Sequence, residues 1–248
     1  MIGKKIIELD NIASTNRYAL SLVNKEKIEE GTIIYAINQN DGKGTGNNKW
    51  ESENGKNLTI SIVLKPHFLP IHTQFYLNVF SSLAVSDMIQ HMLACKEQVK
   101  IKWPNDIYYE NKKISGILIE NSILGDTMEY AIVGIGININ QGKFLSNAPN
   151  PVSLFNISGK TYNLKECLSQ LNFCFNKRYE ELKQKNLMNL MQQYQEILYR
   201  KDIFASFKVK NTYIYAKING VTEYGNLQLI KENGEKLEFA HKEIEYII

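Results

Sequence analysis

A glycine-rich segment, QNDGKGTGNNK at positions 39–49, precedes Trp50 in this chain of 248 residues. Glycine lets a backbone approach an anion closely, and successive exposed N–H groups can hold one. The segment matches neither the GxxxxGK[ST] nor the GxGxxG phosphate-binding fingerprint. Two interpretations are open. The composition by itself favours a mobile surface loop, whereas the following tryptophan favours a ligand-covering loop with a flat wall for a ring.

A second candidate segment, KWPND at positions 102–106, follows a β-branched stretch. Pro104 cannot donate to a strand ladder, so the chain must turn there and present Asn105 and Asp106. An ordinary turn bonded to local backbone and a site with a carboxylate near Mg²⁺ both agree with these residues. Lys113 follows Asp106 after seven residues, where a returning hairpin could bring the two together, although surface lysines are more often solvated charges.

Residues 134–138 read GIGIN within a predicted strand. Two glycines spaced by two lie on the same face of a strand and weaken it. A bulge or a closely packed helix would explain them. A flat ligand on this side-chain-free strip is favoured, because Asn138 offers a donor and an acceptor at its end.

The elements that would position these segments follow from hydrophobic periodicity. Apolar and β-branched runs predict strands at 5–9, 32–37, 58–64, 99–103, 113–120 and 130–139. Helical spacing predicts helices at 74–94, 163–184 and 187–199, and a further helix after a polar entry at 11–15, with Tyr18, Leu20, Leu22 and Val23 on its apolar side. From about position 205, short alternating segments are separated by NG, YGN and NGE turns. The chain therefore divides into an α+β domain, 1–203, and a small all-β module, 204–248.

Composition excludes several classes of protein. Lysine and arginine number 29 against 26 acidic residues, a net charge of +3, which argues against a nucleic-acid binder driven by bulk electrostatics. No apolar run approaches the ~18 residues of a membrane span, and the first ten residues do not form a secretion signal. Cys95, Cys167 and Cys174 match no zinc spacing, and we expect them to be reduced core thiols of a cytoplasmic protein.

Several motifs, taken in chain order, together resemble the biotin protein ligases. They are Ser14-Thr15-Asn16, Gln39 with its GxG loop ending in Trp50, KWPND, KKISGILIE and GIGIN. The resemblance covers most of residues 8–140, and the terminal β module resembles the small C-terminal domain of that family. It implies a class II synthetase-like fold, with a mixed, mainly antiparallel sheet flanked by helices and a C-terminal SH3-like β-barrel. The implied activity is ATP-dependent ligation of biotin to a lysine of a biotin carboxyl carrier protein domain, through biotinyl-5′-AMP.

The resemblance also implies residue roles. Lys113 would lie on the reacting carboxylate and the α-phosphate, with Lys102 and Asp106 nearby and Asp106 acting through Mg²⁺. Lys113 and Asn105 would contact ATP, Trp50 would pack against its adenine, and Asn138 would form hydrogen bonds with the adenine. The implied biotin-binding residues are Ser14, Thr15, Asn16, Gln39, Gly42, Lys43, Gly44, Gly116, Gly134 and Gly136.

The chain departs from the family at the glycine loop, which commonly reads GxGR, whereas Thr45 stands here in place of the arginine. The chain has only three arginines, Arg17, Arg178 and Arg200, and none lies in the loop. We expect Lys43, Lys49 or Lys56 to supply the missing charge, without the two-pronged geometry of arginine.

Thirteen residues precede Ser14, too few for the winged-helix DNA-binding domain of bifunctional relatives. The sequence therefore predicts a ligase without a repressor role, with neither nucleic acid nor membrane as a partner. Two alternatives on the same fold are a lipoate or octanoate ligase and a non-catalytic biotin sensor. The family resemblance also allows a homodimer, which the sequence does not decide.

Overall fold

The structure is a computed structural model that describes residues 1–25, 28–46, 48–146 and 149–248. Its first nine strands are β1 (Ile6–Ile12), β2 (Ile33–Gln39), β3 (Gly42–Lys43), β4 (Lys49–Trp50), β5 (Leu58–Leu64), β6 (Val99–Lys102), β7 (Asp106–Tyr109), β8 (Lys112–Leu124) and β9 (Thr127–Ile137). All except β3 and β4 form one sheet, in the order β1-β2-β5-β9-β8-β7-β6. Only β1 and β2 pair in parallel. The prediction of a mixed, mainly antiparallel sheet is confirmed.

Five helices flank this sheet: α1 (Thr15–Val23), α2 (Tyr76–Leu93), α3 (Leu154–Ser158), α4 (Leu164–Lys183) and α5 (Leu187–Glu196). Helix α2 is apolar on nearly all sides and packs against α4, α5 and the sheet, as expected of a helix in the middle of a core. The opposite face carries α1, packed on a small cluster that includes Ala19, Val63 and Ile132. Because α1 is short, part of this second face stays free for a ligand. None of the described helices is long and apolar enough to cross a bilayer.

The glycine-rich segment is more ordered than its composition predicts. Gly42 pairs with Trp50 and Lys43 with Lys49, and the N–H of Gly44 donates to the carbonyl of Asn48 at 2.7 Å. The expectation of a wholly mobile loop is therefore wrong at the two ends of the segment, which form a short hairpin. The strand β7 and the one-turn helix α3 were not predicted as separate elements, because each is too short for a periodic pattern.

The C-terminal module contains β10 (Phe204–Val209), β11 (Thr212–Val221), β12 (Leu227–Lys231), β13 (Lys236–Phe239) and β14 (Ile244–Tyr246). They form an antiparallel sheet in the order β13-β12-β11-β10-β14, consistent with an SH3-like module. Within residues 204–248 the two edge strands do not pair, so the module is an open sheet and no closed barrel is found. The edge strands have only four and three residues, too few to continue the ladder around the module.

The module is fastened to the KWPND turn. The indole Nε1 of Trp103 donates to the carbonyl of Gly225 at 2.9 Å, and its ring makes an edge contact with His241. Gly225 has φ +93°, and a Cβ there would lie 2.3 Å from the ring of Phe75. The turn after β11 thus depends on glycine for both its conformation and its close approach to the α+β domain.

Candidate functional site

A cleft opens on the face of the sheet that α1 covers only in part. The predicted site residues that line it are Ser14, Thr15, Asn16, Gln39, Lys43, Gly44, Trp50, Asp106, Lys113, Gly116, Gly134 and Gly136. They come from α1, the glycine hairpin and strands β2, β7, β8 and β9. The remaining four, Gly42, Lys102, Asn105 and Asn138, lie outside this lining.

The polar end of the cleft is built at the start of α1. Ser14 has extended backbone, φ −156°, and its hydroxyl accepts from the N–H of Arg17, so it caps the helix. The first turn thereby places Thr15 and Asn16 against the sheet, where all three polar residues are buried. The STN motif is thus a helix start and a set of ligand-facing polar groups at once.

Gln39 presents donors to the cleft. Its Oε1 accepts from the backbone N–H of Thr15 at 2.9 Å and from the Thr15 hydroxyl at 3.1 Å. Because Oε1 already accepts these two hydrogen bonds, the Gln39 side chain has its N–H groups left to donate to a ligand. A Cβ on Gly42 would lie 2.6 Å from Nε2 of Gln39, so this glycine makes room for the amide without lining the cleft itself.

Asn16 lies directly on the glycine strip. A Cβ on Gly134 would be 2.3 Å from its Oδ1, and the hydroxyl of Ser61 approaches the same oxygen to 2.5 Å. Ser61 is fully buried and also lies 2.8 Å from the hydroxyl of Thr15. Sequence reasoning missed Ser61, because a serine inside an apolar strand has no motif to mark it.

Trp50 covers the other half of the strip. Gly116 and Gly136 pair across β8 and β9, and a Cβ on Gly136 would be 2.3 Å from the indole of Trp50. The indole Nε1 is buried and has no hydrogen-bond acceptor among the described residues, and the same description finds no donor for Oδ1 of Asn138. The amide N–H of Asn138 donates to the carbonyl of Val152 at 3.0 Å. Trp50 lines the cleft, so its unpaired N–H is costly in the free protein and is a group that a bound ring could satisfy, whereas Asn138 lies outside that lining.

A lysine–carboxylate pair closes the charged end of the cleft. Lys113 Nζ lies 2.7 Å from Asp106 Oδ1, which is the arrangement that the hairpin argument left open, and 5.8 Å from the centre of the Trp50 ring. Both side chains are a little under one-third exposed, so an incoming anion can reach them. Lys113 thus supplies a positive charge directly beside Trp50 and the glycine strip.

Lys102 and Asn105 point elsewhere. The ammonium of Lys102 lies between the rings of Tyr108 and Tyr246, 5.3 and 5.1 Å from their centres. Burial lowers the pKa of Lys102, and the charge of Asp106 partly opposes that effect. Asn105 donates to the carbonyl of Ile117 at 2.8 Å and lines a neighbouring groove. The implied roles of Lys102 and Asn105 in catalysis and ATP binding therefore stay predictions without contact to the cleft.

The hairpin lysines are not equivalent. Asp41 pairs with Arg17 and lies 3.7 Å from Lys49, so those two cations face a carboxylate at the base of the hairpin. The hydrogen bond from Arg17, followed by its charge, holds the pKa of Asp41 below its ordinary value. Lys43 is the hairpin lysine that lines the cleft. The pairing of Arg17 with Asp41 joins residues far apart in the chain, and sequence reasoning missed it.

A resident metal centre is not built into the described part of the chain. Among these residues, no three His, Cys, Asp or Glu side chains lie close enough together to hold a metal ion. Asp106 is the one carboxylate among the residues lining the cleft. A single carboxylate suits Mg²⁺ that is held mainly by substrate phosphates, because this ion keeps few protein ligands.

The fold and the cleft define a class of protein with a mainly antiparallel sheet, one face of which carries a glycine-lined cleft beside a lysine–carboxylate pair. The model of the Biotin/lipoate A/B protein ligase family matches residues 9–138, about half of the chain. The chain therefore belongs to the biotin/lipoate A/B protein ligase family, and the sequence-based identification of the family and of a ligase enzyme is confirmed.

Individual relatives agree with the family match. The bifunctional ligase/repressor BirA of Bacillus spizizenii is 30% identical over 95% of this chain and 72% of that protein. The biotin–[acetyl-CoA-carboxylase] ligase of Mycobacterium tuberculosis is 25% identical over 54% of this chain and 50% of that protein. The structure of the Aquifex aeolicus biotin protein ligase in complex with biotin and ATP is 25% identical, has a TM-score of 0.81, and aligns with 98% of this chain and 100% of that one.

Proposed function

We propose that this chain ligates biotin to a specific lysine of a biotin carboxyl carrier protein domain, with ATP as the second substrate. The observation that carries the proposal is one cleft in which polar amides, a bare glycine strip and the Lys113–Asp106 pair are contiguous. The name of the Mycobacterium tuberculosis relative specifies biotin ligation to acetyl-CoA carboxylase, and the similar Aquifex aeolicus structure is a biotin protein ligase with biotin and ATP; both support this choice of acid and acceptor.

The hydrogen-bonding groups of the cleft suit a cyclic urea. Gln39 offers N–H donors after Thr15 has used its oxygen, and Asn16 holds an oxygen against Gly134. A ureido ring has a carbonyl that needs donors and N–H groups that need acceptors. A flexible acyl chain such as lipoate or octanoate lacks these groups and would leave the buried amides unpaired, which is costly.

The first chemical step would form biotinyl-5′-AMP. The carboxylate oxygen of biotin attacks the α-phosphorus of ATP, the bond from that phosphorus to the bridging oxygen breaks, and pyrophosphate leaves. Lys113 would offset the negative charge that accumulates on the reacting oxygens. The glycine hairpin and Trp50 would hold the two substrates together and keep water from the intermediate.

In the second step the amine of a carrier lysine attacks the acyl carbon of the intermediate. The bond between that carbon and the phosphate oxygen breaks, AMP leaves, and the new amide nitrogen loses a proton. No protein nucleophile is needed, because both nucleophiles are substrates. Mg²⁺ would supply screening of the triphosphate charge, and Asp106 is the residue that would hold it.

The test is mass spectrometry of a biotin carrier domain incubated with this protein, ATP, Mg²⁺ and biotin. We expect a single biotinyl addition to one lysine. Lys113→Ala should slow labelling by about 10²-fold or more, the usual effect of removing one charge-stabilising donor. Lys112→Ala is the matched control, since Lys112 is exposed and does not line the cleft, and it should label at the wild-type rate. Equal labelling by Lys113→Ala and wild type would refute the role of Lys113.

The same assay separates the alternatives. Labelling with lipoate or octanoate in place of biotin would indicate the other ligase activity, and biotin binding without pyrophosphate release would indicate a sensor. The absence of a repressor role, a homodimer and a cytoplasmic location stay predictions. Gel retardation with DNA, size-exclusion chromatography and fractionation of cells test them in turn.

A further inference from the structure

Glu120 lies on the same face of β8 as the cleft, although it does not line the cleft itself. Side chains two apart on a strand share a face, so Gly116, Leu118 and Glu120 follow one another beneath α1. Glu120 Oε2 accepts from the amide nitrogen of Asn16 at 2.7 Å. Glu120 is the last residue of the KKISGILIE motif. Neither the residue chemistry nor the family resemblance assigned it a role.

The contacts of Asn16 determine which way its amide points. The carbonyl of Leu118, 3.4 Å from Nδ2, and the carboxylate of Glu120 are both acceptors, so both must face the amide nitrogen. The hydroxyl of Ser61 lies 2.5 Å from Oδ1 on the other side. Both N–H groups of Asn16 therefore have acceptors inside the protein, whereas its oxygen has a second lone pair besides the one that faces Ser61, and this lone pair is left to meet a ligand.

We propose that Glu120 is a positioning residue that locks Asn16 as a hydrogen-bond acceptor for an N–H group of the bound acid. This inference rests on the proposed function, in which that acid is biotin and its ureido ring supplies the N–H. An ionised carboxylate presents only acceptors, so Glu120 disfavours the flipped amide. The flipped amide would direct N–H groups toward the N–H groups of the ligand, and neither side would have a partner.

The experiment measures biotin-dependent exchange of pyrophosphate into ATP, which reports adenylation without a carrier. For Glu120→Ala we expect the KM for biotin to rise about 10- to 30-fold, while kcat and the KM for ATP change less than about threefold. Glu120→Gln keeps an acceptor oxygen but can also donate to a flipped amide, so its KM for biotin should lie between those of wild type and Glu120→Ala. Glu129→Ala is the control, because Glu129 only accepts from Ser122 on the exposed end of the same hairpin.

A double-mutant cycle makes the test specific for Asn16. In the Asn16→Ala background, Glu120→Ala should add less than about twofold to the KM for biotin, since nothing remains for it to orient. Thermal unfolding of each variant distinguishes this effect from a loss of structure. An unchanged KM in Glu120→Ala, or equal effects of Glu120→Ala with and without Asn16, would overturn the proposal. If wild type shows no biotin-dependent exchange, the proposed function fails instead.

Discussion

Replacing Gly134 by alanine tests whether the strip beneath Asn16 forms the floor of the biotin site. A Cβ there would lie 2.3 Å from Asn16 Oδ1, whereas ordinary van der Waals contacts begin near 3.4 Å, so the amide must retreat by roughly 1.1 Å. The backbone at Gly134 is not in the left-handed region, so alanine introduces no φ strain. The bonds of Asn16 to Glu120 and Ser61, at 2.7 and 2.5 Å, would then exceed hydrogen-bonding distance.

Losing a well-aligned buried hydrogen bond to the ligand costs about 2 kcal/mol, which corresponds to about a 30-fold rise in the KM for biotin. Pyrophosphate exchange at saturating ATP measures it. Gly136→Ala is the paired variant: its Cβ would strike the Trp50 indole at 2.3 Å, so we expect it to raise chiefly the KM for ATP. Gly142→Ala is the control, because its nearest neighbour would be an ordinary 3.6 Å away. A folded Gly134→Ala protein whose KM for biotin stays within twofold of wild type would refute the reasoning.

Three further predictions concern the hairpin, the module and the thiols. Thr45→Arg should slow release of biotinyl-AMP without a carrier about tenfold, through a charge-assisted hydrogen bond of ~1.5 kcal/mol; equal release would contradict this. Burial, followed by the charge of Lys242, lowers the pKa of His241, so the folded state favours the neutral ring. The free energy of unfolding should be highest above 6.5, the pKa of His241 in the unfolded state, and should fall as the pH drops through its lower pKa in the folded state. Chemical unfolding measures this dependence, which should be flatter in His241→Gln. Burial raises the pKa of both Cys167 and Cys174 to about 11, so iodoacetamide at pH 8 should label the half-buried Cys95 first; equal rates by mass spectrometry would contradict this.

The sequence predicted the long elements of the fold well, because each has its own period. The apolar run at 58–64 coincides with β5, and the helical spacing at 163–184 closely matches α4. Strand β7 has four residues and α3 has five, so neither carries enough periodicity to be recognised. The hairpin pairing of Gly42 with Trp50 depends on backbone hydrogen bonds that glycine and asparagine composition does not reveal.

The candidate site was predictable where its chemistry lies in contiguous motifs. The sequence left open whether Lys113 returns beside Asp106 or is a solvated surface charge, and the 2.7 Å ion pair shows that it returns. It did not predict the burial of Lys102 between two aromatic rings, one of which belongs to the C-terminal module. A motif shows that residues are neighbours in the chain, but it does not show which side of the strand each one faces after a turn.

The sequence by itself indicated the family and the ligase class through the resemblance of its motifs, and it determined the local elements, because helix caps, strand glycines and turn prolines act locally. Tertiary structure decided which groups of those residues face a ligand. Gln39 became a donor because Thr15, across the gap between β2 and α1, uses its oxygen. Asn16 became an acceptor because Glu120, 104 residues away, uses its amide nitrogen. An amide side chain can bond either way, so its polarity in a binding site is fixed by partners that only folding brings together.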